Sequence, residues 1–197
     1  MAGIDLILAS ASPRRRELLK QIGIKFEVIS HLAVDESLKS SETPEQYVCR
    51  LAREKARAGY TEVYSHSENR KVPVLGADTC IALDGDILGK PADREEGIAM
   101  LQRLSGRSHQ VLTALCLYDG QLARVALSRS TVLFKVIESH EIEQYWDTGE
   151  PADKAGAYAI QGAAARFIVD LHGSYSGVVG LPLYELSQLL DEFISFD

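Results

Sequence analysis

The 197 residues are 46% apolar and 25% charged, the proportions of a soluble globular domain long enough to build one core without disulfide or metal staples. A formal net charge of −7 works against nucleic acid and anionic membranes, no run approaches the ~18 apolar residues of a membrane span, and the N-terminus lacks a signal peptide's basic segment. The three cysteines are odd in number and sit in apolar patterns, so the expectation is a reduced, cytoplasmic protein, a single domain over residues 1–197, with neither nucleic acid nor membrane as a partner.

Helical and strand signals alternate along the chain. Residues 4–9 (IDLILA) form the short apolar run that a buried strand needs. Ser12 and Pro13 supply an N-cap and a first-turn proline, predicting a helix to about Ile22 that Gly23 closes. A second strand is expected at 26–30. Thr43 and Gln46 form a capping box around Pro44, and Val48, Leu51, Ala52 and Ala56 mark one apolar face of a helix to Gly59. Residues 60–71 are polar and read as a surface loop or frayed helix end. The run 72–83 (VPVLGADTCIAL) is the next strand, turned back by Asp84-Gly85 towards Ile87-Leu88. Asp93 and Glu96 form a second capping box, opening a helix to about Leu104 that Ser105-Gly106 stops. Residues 109–118 and 121–136 alternate like long strands around an Asp119-Gly120 hairpin. A helix near 139–147, strands near 156–160 and 165–171, and a last helix from Pro182 with Leu183, Leu186, Leu190 and Phe193 as its buried stripe complete the pattern. Helices interleaved with antiparallel hairpins predict a mixed-sheet α/β protein.

Several residues break local rules. Arg14, Arg15 and Arg16 fill the first turn of the first helix, where the helix dipole disfavours cations. A bound phosphate would compensate them, because the Ser10-Ala11-Ser12 loop and the helix N-terminus aim free N–H groups at one point. The plainer alternative is solvated arginines pairing with surface acids such as Glu17, and Arg16 reads as solvated either way. Asp78 stands inside an apolar strand, where an ionised carboxylate is costly unless paired, hydrogen-bonded or metal-bound. It is either a strand-end residue bonding loop amides, or a metal ligand or base for water. Gly76 and Ala77 leave room for something to approach the backbone there. Asp35-Glu36 could add oxygen ligands or be an ordinary surface pair. Lys55 lies on the otherwise apolar face of its helix, snorkelling or turned into a polar site, and Lys90 follows the Asp78 strand on a segment that must return near it.

Gly85 to Lys90 falls short of a P-loop: three residues separate its glycines and Pro91 follows the lysine. There is no GxGxxG or HExxH, five scattered histidines lack zinc-ligand spacing, and Trp146 and most tyrosines read as packing. The remaining anomalies share one chemistry. Cations at 14, 15, 55 and 90 suit phosphates, while Glu36 and Asp78 can hold a hard cation or activate water. Together they suit phosphoanhydride hydrolysis by positioning and charge neutralisation.

The strings Leu8-Ala9-Ser10-Ala11-Ser12-Pro13-Arg14-Arg15, Val34-Asp35-Glu36, Ala52-Arg53-Glu54-Lys55-Ala56, Gly76-Ala77-Asp78-Thr79 and Gly89-Lys90-Pro91 resemble the Maf family in content and order. Lys154 to Gly162 (KAGAYAIQG), Gly173-Ser174-Tyr175 and Gly180-Leu181-Pro182-Leu183 resemble it too, so the likeness covers about residues 4–183. The resemblance implies an elongated mixed sheet flanked by helices, in two lobes with a cleft between them (Maf/ITPase-like), often as a homodimer. It implies a nucleoside triphosphate pyrophosphatase that cleaves between the α- and β-phosphates with a divalent cation, Mg²⁺ or Mn²⁺. By motif, Asp78 resembles the proton acceptor, Glu36 and Lys55 join it as catalytic residues, and Glu36 with Asp78 would hold the metal. Ser10, Arg14, Arg15, Lys55 and Lys90 would bind the phosphates. Arg14, Thr79 and Gln161 resemble the subgroup acting on dTTP and UTP, with modified pyrimidine nucleotides as further substrates; a sister subgroup acting on 7-methyl-GTP has Trp, Gln and Glu there. The family is also linked to arrest of septum formation and cell division, so the alternative expectation is a nucleotide-binding regulator with incidental hydrolysis.

Overall fold

A computed structural model describes residues 4–65 and 72–194. Seven strands make one sheet: β1 (Leu6–Ala9), β2 (Phe26–Ile29), β3 (Val74–Leu83), β4 (Asp86–Leu88), β5 (Ser108–Tyr118), β6 (Ala123–Phe134) and β7 (Ile168–His172). Their order is β2-β1-β3-β5-β6-β7, with β4 also paired to β3. β1 runs parallel to β2 and β3, and every other ladder is antiparallel. Parallel neighbours need crossovers, supplied by α1 (Pro13–Gln21) and α2 (Pro44–Tyr64). The expected mixed-sheet α/β fold is what the chain adopts.

Both crossover helices start as their sequences dictate. Ser12 caps α1 with Pro13 behind it, and Gly23 leaves it at φ +76°. On α2 the Thr43 hydroxyl accepts from Gln46 N at 3.3 Å and the Gln46 carboxamide accepts from Thr43 N at 3.0 Å. α2 runs on to Tyr64, beyond the expected stop at Gly59. That glycine is a contact rather than a terminator, since a Cβ there would lie 3.0 Å from the Ala9 Cβ. Residues 66–71 of the expected loop lie outside the described residues.

Later elements are α3 (Arg94–Leu104), α4 (Ser139–Asp147), α5 (Tyr175–Val179) and α6 (Leu183–Ile194). Asp93 caps α3 through Glu96 N, but the Glu96 carboxylate reaches Ala92 N, so the capping box is not closed. The strand expected at 156–160 is absent. Gly156 and Ala157 take positive φ in a short 3-10 turn, and Gly156 N donates to Gly89 O at 2.9 Å. The apolar run there reflects burial against β3: a Cβ on Gly156 would lie 2.5 Å from Ile81. The 165–171 strand starts late, at Ile168, after another 3-10 turn. α5, only five residues long, is too short to show helical periodicity and was not expected.

Strand alternation sorts the core. On one face of β3 and β5, Leu75, Ala77, Leu115 and Leu117 join α1, α5 and α6, whereas Ile81, Leu83 and Val111 join α3 and α4. The other face carries Cys80, Ala82, Leu112 and Ala114 under α2. Two cores therefore share one side of the sheet, and they part at Thr79 and Thr113, which face each other across the β3–β5 ladder. Cys80 and Cys116 are buried, Cys49 is partly so, and all three are free thiols.

Candidate active site

β3 outruns its neighbours on one edge. β1 stops at Ala9, opposite Gly76, and β4 begins pairing at Ile81, so Ala77 to Cys80 have no strand beside them there. The cleft opens at this interruption. Consecutive strand residues point to opposite faces, which sends Asp78 towards α2 and Thr79 towards α5. With no strand on that edge, both line the same cavity of about 700 Å³.

Arg15 enters the interruption from α1. Its Nη1 donates to Ala77 O at 2.8 Å and Ser10 Oγ at 3.2 Å, its Nε to Gly180 O at 2.8 Å, and its Nη2 to Thr79 Oγ1 at 3.4 Å. Thr113 Oγ1 donates to Gly177 O at 2.7 Å, so the 2.9 Å contact between the two threonine hydroxyls has Thr79 as donor. Every proton in the chain Arg15, Thr79, Thr113, Gly177 is thereby assigned. Four of the five guanidinium donors are committed within the protein. Burial, with Arg14 nearby, lowers the Arg15 pKa despite the pull of Asp78 and Glu36.

On the other face Lys55 Nζ lies 2.6 Å from Asp78 Oδ1 and 2.7 Å from Glu36 Oε1. What approaches the backbone at Gly76 is the α2 backbone: a Cβ there would sit 2.3 Å from Ala52 O and 2.5 Å from Ala56 N. That approach seats Lys55, one residue before Ala56, over Asp78, two residues after Gly76. Burial raises the Asp78 pKa, and the Lys55 and Arg15 charges offset only part of the rise. Burial pushes Glu36 the same way, but the hydrogen bond and charge of Lys55, with Lys90 and Arg15 beyond, hold it below its usual value.

Ser10, Arg14, Arg15, Glu36, Lys55, Asp78, Thr79, Lys90 and Gln161 line this one cavity; Arg16 does not, and neither does Asp35, whose carboxylate accepts from Ser37 N instead. None of the arginines pairs with Glu17 among the described residues. Ser10 Oγ accepts from Ser12 N and from Arg15, which leaves its own proton free to donate. Asp78 is no strand-end residue bonding loop amides; it sits mid-strand on an ammonium. Two carboxylates fit a hard cation that keeps most of its waters and takes further oxygens from a triphosphate. No third His, Cys, Asp or Glu joins them among the described residues, so the protein alone makes only part of a coordination shell.

Several further groups line or support the cavity without having stood out in the sequence. Thr113 bore the same signal as Asp78, a polar residue inside a buried strand. Lys154 and Asp153 form an ion pair on the cavity wall; Lys154 opens one of the family-like strings but was given no role there, and nothing in the pattern set Asp153 apart. Tyr47 also lines the cavity, its hydroxyl pushed up to about 12 by burial first and then by Asp78 and Glu36.

No helix among the described residues is long and apolar enough to cross a membrane. A family model described as "Maf-like protein" matches residues 5–193. The chain is 55% identical over 188 residues to a dTTP/UTP pyrophosphatase of Alkalilimnicola ehrlichii, spanning 95% of this chain and 92% of that protein. It is 50% identical over 185 residues to a dTTP/UTP pyrophosphatase of Pseudoalteromonas atlantica, spanning 94% and 95%. Against one from Aliivibrio fischeri the identity is 47% over 190 residues, spanning 96% and 98%.

Proposed function

The chain belongs to the Maf-like protein family, and from that premise we propose that it hydrolyses dTTP and UTP, with modified pyrimidine triphosphates as further substrates, to the nucleoside monophosphate and pyrophosphate. The observation that carries the reading is Lys55, which clamps Asp78 and Glu36 at 2.6 and 2.7 Å beside the N-terminus of an arginine-led helix.

The triphosphate lies across the sheet interruption. Arg14, Lys90, the Ser10 hydroxyl and the backbone N–H of Arg14 receive its oxygens, because Pro13 has no N–H and the Arg15 amide is given to the Ser12 cap. Arg15 offers its one uncommitted side-chain N–H while holding the wall in place. Asp78 acts as proton acceptor. Its Oδ1 is occupied by Lys55, and Oδ2, which accepts no hydrogen bond from the described residues, takes the proton of the attacking water. The water oxygen bonds to the α-phosphorus, and the bond to the bridging oxygen breaks, its electron pair leaving with pyrophosphate. Lys55 fixes the acceptor's orientation and, as a cation, favours its ionised form. Glu36 and Asp78 would hold the divalent cation, Mg²⁺ or Mn²⁺, which when bound neutralises charge on the departing phosphates. Gln161 offers a donor and an acceptor to a uracil or thymine edge. Thr79 acts on substrate choice through Arg15, because its own proton is committed to Thr113. The working form is a cytoplasmic homodimer.

Pyrophosphate release from a panel of nucleoside triphosphates, with Mg²⁺ or Mn²⁺, tests the reading. Release from UTP and dTTP is expected, reduced by about 10²-fold or more in Asp78→Asn with nucleotide binding retained. Tight nucleotide binding with no release from any member would favour the nucleotide-binding regulator.

A further inference from the structure

Glu36 stands on a segment, residues 30–42, that holds no helix or strand. Its carboxylate is nonetheless fixed against Lys55 on α2. Three successive backbone carbonyls account for this. Arg50 Nη1 donates to Asp35 O at 3.2 Å, Tyr47 OH to Glu36 O at 3.0 Å, and Arg50 Nη2 to Ser37 O at 2.9 Å. The other Arg50 donors go to Glu42, Nε at 2.7 Å and Nη2 at 2.9 Å, and to Glu54, Nη1 at 3.1 Å. All five N–H groups of the guanidinium are therefore committed, and the Arg50 side chain is only 14% exposed. Positions 47, 50 and 54 follow at helical spacing on one side of α2, and Lys55 adjoins the last of them.

We propose that Arg50 is a positioning residue: by strapping residues 35–37 onto the helix that carries Lys55, it holds Glu36 in its working place. The proposal deepens the pyrophosphatase reading and rests on it. The shape of the group matters as much as its charge. A planar fork spans Asp35 O and Ser37 O while gripping Glu42 with two parallel bonds, whereas an ammonium offers three donors from a single atom. Tyr47 closes the middle of the strap and adds no charge.

A double-mutant cycle tests it, with Arg50→Gln, Arg50→Lys, Glu36→Gln and the Arg50→Gln/Glu36→Gln pair assayed for pyrophosphate release from UTP. The ¹⁵N heteronuclear NOE of residues 34–38 is measured on the same proteins. Arg50→Gln should lower kcat roughly tenfold with KM changed by less than about twofold, and Arg50→Lys should not restore it. In the Glu36→Gln background the further loss should stay under about twofold, because the strap then has nothing to position. The NOE at residues 35–37 should fall in both Arg50 variants. Additive losses in the cycle, full rescue by lysine, or an unchanged NOE would each overturn the proposal. A wild-type chain that releases no pyrophosphate would overturn the pyrophosphatase reading, and the NOE alone would then decide whether Arg50 straps the Glu36 segment.

Discussion

Gly76 on β3 and Ala52 on α2 are so close that a Cβ on the glycine would lie 2.3 Å from the Ala52 carbonyl oxygen. Backbone cannot yield as a side chain tip can, so Gly76→Ala must lift the helix from the strand. The expected cost is about 1–3 kcal/mol of stability or more, read by denaturant unfolding. Because Lys55 rides on the displaced helix, turnover of the folded fraction should fall as well. Full activity in a destabilised variant would separate the packing from the site.

Asp78 should titrate abnormally in the metal-free protein. Burial raises its pKa, so NMR of its carboxyl carbon should show a midpoint above the ordinary carboxylate value, and that resonance should be missing in Asp78→Asn. The same shift has a sign for stability. A raised folded pKa means the contribution is full below the unfolded value of 3.8 and is lost as pH rises through the folded one. At neutral pH the ionised group is a burden on the fold. Asp78→Asn should therefore leave the melting temperature unchanged or raise it, and a clear drop in calorimetry would contradict this.

His109 works in the opposite sense. It is 3% exposed, its Nε2 lies 2.8 Å from the Tyr158 hydroxyl, and burial lowers its pKa to about 4. Between that value and the unfolded 6.5 the unfolded chain binds the extra proton, so stability is lost as pH falls through this window. The loss should reach roughly 3 kcal/mol by pH 4. NMR titration of the His109 ring, beside unfolding curves at several pH values, checks both numbers.

Arg14 lines the cavity beside Arg15 but makes none of its neighbour's structural bonds. Arg14→Ala should weaken triphosphate affinity by roughly 1–3 kcal/mol and leave the unfolding transition in place. Calorimetric titration with a non-hydrolysable UTP analogue measures this. Arg15→Ala should cost stability too, since two backbone carbonyls and two hydroxyls lose a donor.

Gln161 lies on the cavity wall within an exposed turn. Gln161→Glu removes the carboxamide donor and should shift preference away from UTP and dTTP. The ratio of kcat/KM for UTP to that for a purine triphosphate is the measure, and an unaltered ratio would remove Gln161 from specificity.

Much of this architecture was legible in the sequence because the local and tertiary demands agree. The capping box of α2 and the apolar run of β3 fold as their residues prefer. The sites announced themselves by the opposite, as with Asp78 in an apolar strand and arginines at a positive helix end. The failures have a physical cause as well. Residues 156–159 are buried, with Gly156 against Ile81, and burial without periodicity does not distinguish a strand from a packed turn. The Arg50 strap was invisible because its acceptors are backbone carbonyls, which every sequence supplies alike.

The interruption along β3 carries one more consequence. Ala77 to Cys80 have no strand beside them along that edge, yet Ala77, Asp78 and Cys80 are buried, so their backbone must be covered by something other than a strand. Arg15 occupies that edge with a charged group bonded to the Ala77 carbonyl, and no second strand can add where it lies. Filling an open sheet edge is thus built into the same side chain that organises the cleft, so its loss would bare backbone and dismantle the site together.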